Sequence, residues 1–168
     1  AVARCEANER CSQSYLYRAL NQLAIMYGIT NQLEKSLETF DRAHRLAQSL
    51  LGDDHPFIAA ALNDRSSVLI AHKRHVEALE IIERVIAMSG RNGVHRSFLY
   101  APYTNAAESW FALGKYEQAE VAVAKAISIC VETGIGNQAQ VMNLYALQGD
   151  IRFARSQYEA AVESYVQA

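Results

Sequence analysis

The residues of this 168-residue chain that could do chemistry are five histidines, three cysteines and 18 carboxylates. Their spacing argues against most of it. His72 and His75, in AHKRH, come nearest to a metal pair. Lys73 and Arg74 between them repel a cation and no further ligands follow, so the segment reads as a solvated turn. His44, His55 and His95 are scattered, none beside a Cys or Ser in a nucleophile motif. Asp53 and Asp54 precede Pro56, where carboxylates favour turn geometry and the start of the next helix. The glycines form no phosphate-cradling loop. Cys5, Cys11 and Cys130 are odd in number and make no CxxC pair. They read as small buried thiols of a reducing, cytoplasmic setting. Trp110 and the tyrosines stand at helical core spacing and read as packing groups. The expectation is a chain without catalytic residues, metal or cofactor.

Composition is in the range of a soluble folded protein. Half the residues are hydrophobic, and proline (two) and glycine (eight) are scarce, which favours helix. The net charge of -2 comes from 16 basic and 18 acidic side chains mixed along the chain. A basic stripe of the kind nucleic-acid binders carry is absent. No apolar run reaches the roughly 20 residues of a membrane helix, and AVARCEANER lacks the apolar stretch of a signal peptide.

The elements that position these residues follow from a repeat. GKYEQAEVAVAKA, from Gly114, returns as SQYEAAVESYVQA, from Ser156, 42 residues on. Small residues recur at Ser36, Ala78, Ala119 and Ala161, with spacings of 42, 41 and 42, and at Ala24, Ser66, Ala107 and Gly149. Bulkier positions keep the same step at Phe40, Ile82, Val123 and Tyr165, and at Leu33, His75, Tyr116 and Tyr158. Within each unit apolar residues fall three and four apart, which means amphipathic helix. Leu16, Leu20, Leu23 and Tyr27 line one helix, and Leu33, Leu37, Phe40 and Ala43 the next. Each unit is therefore a helix A, a short turn and a helix B. The turns fall at residues 28–31, 71–74, 114–115 and 155–157, and the joints between units at 52–55, 90–94 and 134–137. A small residue where helix A meets helix B lets the two backbones approach closely.

These columns resemble the tetratricopeptide repeat, whose motif sets a large residue, Leu, a small residue and Tyr on helix A, then Ala and a bulky residue on helix B. Leu20, Leu23, Ala24, Tyr27, Ser36 and Phe40 supply it in the first unit, and Tyr103, Ala106, Ala107, Trp110, Ala119 and Val123 in the third. The fourth supplies Tyr145, Gly149, Ala161 and Tyr165 but departs at Gln148 and Arg152; the second departs at Arg65. The 42-residue step exceeds the family's usual 34. Gln48, Gly90 and Val131 stand where the family places a helix-ending Pro, so helix B should run on in the first and third units. Such long repeats look like the kinesin-light-chain type, and like those of bacterial regulators that bind peptides or proteins. Pro56 fits a helix start. Pro102 falls inside the third helix A and predicts a kink or a late start there.

The resemblance implies an all-α, right-handed solenoid of antiparallel helix pairs with about four repeats, at residues 13–52, 55–90, 95–134 and 137–168. Residues 1–10 read as the tail of a preceding repeat, the last unit as truncated, and the natural protein as longer at both ends. It also implies a concave groove lined by helix A. Carrying over the family's groove positions selects Arg18, Asn21, Asn63, Ser67, Thr104, Glu108, Phe111, Asn143, Asp150 and Phe153. Carboxamides such as Asn21 and Asn63 donate and accept at once, which suits an extended peptide backbone. The basic clamp some members use for C-terminal carboxylates is not reproduced, since Arg18 is the one cation in these columns. Glu108 and Asp150, with Phe111 and Phe153, suit a segment carrying a basic residue and an apolar anchor. The expected function is a non-catalytic protein–protein interaction scaffold with a protein or peptide partner, and neither nucleic acid nor membrane. The alternative is a sensory or regulatory segment of a larger signalling or transcription-regulating protein, hinged at residues 90–94. Self-association through uncapped terminal repeats is a third expectation.

Overall fold

The computed structural model describes residues 13–53, 55–89 and 95–168. The expected tail at 1–10, Cys5, Cys11, Asp54 and the hinge at 90–94 lie outside them. Among the described residues there are eight α-helices and no strand. They are α1 (Gln13–Ile29), α2 (Leu33–Leu51), α3 (Pro56–Ala71), α4 (His75–Ser89), α5 (Tyr100–Ala112), α6 (Tyr116–Thr133), α7 (Gln138–Ala154) and α8 (Tyr158–Gln167). The fold class is the all-α helix-pair solenoid the repeat implies. The chain divides into two compact units between Arg74 and His75. In the first, α2 packs on α1 and α3; in the second, α4 packs on α5, α5 on α6, α6 on α7 and α7 on α8.

Each B helix starts on the column residue: Leu33, His75, Tyr116 and Tyr158. The small columns are buried throughout. Ala24, Ser66 and Ala107, with Ser36, Ala78 and Ala119, are fully enclosed, and Gly149 and Ala161 follow them. Ser36 Oγ also donates to the Ala24 carbonyl at 2.7 Å, tying α2 to α1 where they meet. Helix α2 has 19 residues and α6 has 18, against 15 in α4, so helix B runs on in the first and third units. The third helix A starts late. A 3-10 turn, Arg96–Leu99, precedes α5, and Pro102 sits buried in the first turn of α5, where a missing N–H costs nothing.

The scattered histidines acquire local roles. His55 and His95 are N-caps whose Nδ1 atoms accept from the Phe57 and Ser97 amides. Asn137 caps α7 in a reciprocal capping box with Gln140. His72, expected to be solvated, is half-buried, with Nε2 3.0 Å from the Gly28 carbonyl. Cys130 is a buried free thiol, its pKa raised by that burial.

The first turn differs from expectation. Helix α1 continues through Gly28 to Ile29, because this glycine serves close packing: a Cβ there would lie 2.7 Å from Val68 Cγ1 of α3. The chain reverses instead through a left-handed residue in every A–B turn. Asn31, Lys73, Gly114 and Ser156 have φ of 61°, 63°, 70° and 61°, at spacings of 42, 41 and 42. In each, two amides bond back to the helix in a Schellman pattern; Asn31 N–H donates to Gly28 O at 3.1 Å and Gln32 N–H to Tyr27 O at 2.8 Å. Lys73 and Ser156 carry a Cβ in a region that costs about 1–2 kcal/mol, whereas glycine there loses roughly 0.5–1 kcal/mol in unfolded-chain entropy. Lys73→Gly and Ser156→Gly should each therefore raise stability by about 0.5–1 kcal/mol, and Gly114→Ala should lower it by a similar amount. Urea unfolding midpoints of the three variants measure this.

Candidate functional site

In the first unit the residues expected to line a groove stand on α1 (Arg18, Asn21) and α3 (Asn63, Ser67). Arg18, Asn21, Tyr17, Gln22 and Phe57 border a cavity of about 360 Å³. Tyr17 OH donates to the Phe57 carbonyl at 2.8 Å, holding the two helices together at its edge. Asn21 is buried, 7% exposed, rather than presented to solvent. Its Nδ2 donates to Asp64 Oδ2 at 2.8 Å, while its Oδ1 has no hydrogen-bond donor. Burial pushes the Asp64 carboxyl above the usual carboxylate range, against the opposing pull of the Asn21 bond. Tyr17 is raised as well, by burial first and by Asp64 second. On α3, the Ser67 hydroxyl is taken up by the Asn63 carbonyl of its own helix at 3.1 Å.

In the second unit, Thr104 Oγ1 donates to the Tyr100 carbonyl at 3.0 Å, so this hydroxyl too is used within its helix. Glu108 is open to solvent yet its carboxyl is pushed up by desolvation. Water reaches the side chain, but the surrounding protein denies the carboxyl a full hydration shell. Phe111 is half-buried, its ring 5.8 Å from that of Tyr116. On α7, Asn143 is exposed, Asp150 accepts from Tyr165 OH at 2.8 Å, and Phe153 is 59% exposed beside Tyr158. Among the described residues no group of three or more His, Cys, Asp or Glu could hold a metal ion. No helix among them is long and apolar enough to cross a membrane.

Residues 15–90 match the family profile of the tetratricopeptide repeat. They are tetratricopeptide repeats. No curated protein matches the sequence. Solved structures share the fold: BtubC (BKLC) from P. vanneervenii has a TM-score of 0.85 at 14% identity, over 99% of this chain and 66% of that one. A structure of kinesin-light-chain-type, nearly identical TPR-like repeats from Podosopora anserina has 0.73 at 20%, over 99% and 79%. The MamA RS-1 ArsTM double mutant has 0.66 at 17%, over 99% and 87%. At these identities the likeness speaks for the fold alone. This chain spans just under two thirds of the BtubC chain. The tetratricopeptide repeat is in general a protein–protein interaction module.

The departures from the tetratricopeptide pattern now have structural reasons. Arg65 on α3 pairs with Asp41 on α2 at 2.6 Å. Arg152 on α7 donates to Glu120 Oε1 of α6 at 2.9 Å, and to Ser164 Oγ and the Ala160 carbonyl of α8 at 2.9 and 3.2 Å. Gln148 is buried, with Oε1 3.4 Å from the same Ser164 hydroxyl. Long polar chains thus fill helix A positions where the family uses Leu and Tyr. Sequence reasoning registered them as mismatches, because the Asp and Glu partners lie 24 and 32 residues away. It also missed a cleft of about 480 Å³ between α4, α5 and α6, floored by Ala106.

The Asp64 environment yields a test. A carboxyl whose folded-state pKa is raised opposes folding when charged. The penalty is present at neutral pH and is relieved as pH falls through the folded-state value towards the ordinary carboxylate range near about 4. Asp64→Asn removes the charge and retains an acceptor for Asn21. It should be more stable than the parent at pH 7, by about 1 kcal/mol, with the gap closing on acidification. Unfolding midpoints between neutral pH and pH of about 4 measure the convergence.

Proposed function

We propose that this chain is a non-catalytic interaction module whose A-helix faces take up a protein or peptide segment. The fold is the general reason. The observation that carries the finer reading is Glu108, a partly desolvated carboxylate with no ion-pair partner among the described residues. It lies on the helix that also presents Phe111, and Phe153 adds exposed apolar surface on α7. A segment with a basic side chain and an apolar anchor satisfies both features. The cation restores the electrostatic stabilisation that desolvation removed, and the anchor covers the phenylalanine. In the first unit, Asn21 Oδ1 lacks a donor and its residue borders the 360 Å³ cavity beside Arg18. A peptide N–H is the donor that such a carboxamide pairs with.

Of the ten residues selected by the family's groove positions, Arg18, Asn143, Glu108 and Phe153 reach solvent with least prior engagement. They are assigned direct contact with the segment. Ser67 and Thr104 are assigned to holding helix geometry, since their hydroxyls are already bonded. Asn21 is assigned to orienting the α1–α3 face through its Nδ2 bond to Asp64, with Oδ1 left to accept from the segment's N–H. Cytoplasmic signalling is the setting that fits a reduced Cys130, and remains part of this proposal.

The test measures fluorescence polarisation of labelled peptides that combine an arginine or lysine with an aromatic residue. Charge reversal at Glu108 and Asp150 should weaken binding by about tenfold and flatten its salt dependence. Affinity and salt dependence that both survive the double reversal would rule the reading out.

A further inference from the structure

The cleft between α4, α5 and α6 exists because of one small residue. In the repeat register Ala106 occupies the position held by Leu23, Arg65 and Gln148 in the other units. On α5 it lies between Tyr103 and Trp110, three residues after one and four before the other, so two aromatic rings stand one turn to either side of a methyl floor. Leu79 and Ile82 of α4 and Val121 of α6 form the apolar walls. Its volume, about 480 Å³, falls within the roughly 300–1,000 Å³ of ligand pockets. Val121 is 56% exposed, so the apolar surface reaches the mouth.

The first unit contains a filled counterpart of this site. There Arg65 of α3 crosses to Asp41 of α2 at 2.6 Å. Advancing Asp41 by one 42-residue step gives Glu83, and advancing Arg65 by the 41-residue step gives Ala106. Glu83 lines the cleft, exposed, and its carboxylate has no ion-pair or hydrogen-bond partner among the described residues. The acid of the pair is present and its guanidinium is missing. On the opposite wall, Glu117 adds a second carboxylate, held only loosely by Arg155 at 3.6 Å and 73% exposed. Two lysines stand on the cleft's own rings without pairing to Glu83: Lys125, which lines the cleft, has Nζ 5.1 Å from the Tyr103 ring centroid, and Lys115 Nζ lies 4.9 Å from that of Trp110.

We infer that this cleft is a second docking site, which receives an arginine-bearing segment of a partner protein. The guanidinium pairs with Glu83 as Arg65 pairs with Asp41. The stem lies on Ala106, and a neighbouring apolar side chain fills the space between Tyr103 and Trp110. Arginine fits better than lysine because its planar fork pairs with a carboxylate while its stem and face pack on apolar and aromatic surface. The site is independent of the Glu108 face, since residue 108 lies about 200° around α5 from residue 106.

Trp110 is the chain's single tryptophan, so its emission reports occupancy of the cleft directly. The probe is a capped Leu-Arg-Leu peptide titrated into the full chain, with Leu-Glu-Leu as control. A saturable change in Trp110 emission is expected with the arginine peptide, at least about tenfold weaker with the glutamate peptide. Glu83→Gln should weaken it by about tenfold as well. Ala106→Arg, which supplies the missing guanidinium in cis, should abolish the response while unfolding at or above the parent's temperature. Val121→Lys, at an exposed position, blocks the mouth by charge and serves if Ala106→Arg does not fold. Charge reversal at Glu108 and Asp150 should leave the Trp110 response unchanged. No Trp110 response to the arginine peptide, or a response that persists undiminished in Glu83→Gln together with either blocking variant, overturns the inference.

Discussion

Close approach of two helix backbones at a pair of small residues is the constraint on which the helix pairs depend. Ala24 and Ser36 in α1–α2, Ala107 and Ala119 in α5–α6, and Gly149 and Ala161 in α7–α8 are all buried where the helices meet. A larger side chain at such a point forces the helices apart and costs roughly 1–3 kcal/mol in strain. Because the approach is close, the bulky residues around it interdigitate: Ala24, Phe40 and Val68 form one core with Ile25 and Leu33 packed against it. The 42-residue step is the sequence trace of repeating this contact.

Short-range backbone chemistry then directs each pair. A left-handed residue with two back-bonded amides reverses the chain between A and B, and it does so whether the residue is Asn, Lys, Gly or Ser. At the other end, His55 and Asn137 cap the A helices that follow their joints, and His95 caps the 3-10 turn that precedes α5. Three residues of types that would attract attention as candidate ligands or bases are thereby occupied with orphan amides at helix ends.

Against this uniform frame, individuality lies where helix A faces its neighbours. Leu23, Arg65, Ala106 and Gln148 share one register position, and each fills it differently. Arg65 reaches a carboxylate on the preceding B helix, Gln148 bonds within its own pair, and Ala106 leaves a cleft. Substituting a polar chain into an apolar position is tolerated only when its charge or amide is met, since an unmet buried polar group costs about 1–3 kcal/mol. Arg152 meets that condition through Glu120 and Ser164. The same scaffold therefore offers different chemistry from repeat to repeat without altering the helix pairs.

Helix type, the B-helix starts at Leu33, His75, Tyr116 and Tyr158, the buried small columns and the late third helix A were all legible in the sequence. Each rests on local periodicity or on a residue with one stereochemical consequence, such as Pro102, and such signals do not depend on what the other helices do. The residues selected as groove positions form columns in the sequence, but their states could not be read there. That Asn21 is buried against Asp64, that Ser67 and Thr104 bond their own helices, and that Glu108 is desolvated are matters of which helices crowd a side chain. Gly28 read as a turn and proved to be a point of contact with Val68, because glycine signals both a flexible backbone and an absent side chain. The pairing of Arg65 with Asp41, and its absence at Ala106 and Glu83, joins residues more than twenty positions apart. Sequence determined that these helices form and which faces they bury. Tertiary structure alone decided which polar groups find partners, since hydrogen bonds and ion pairs act over a few ångströms of space and not along the chain.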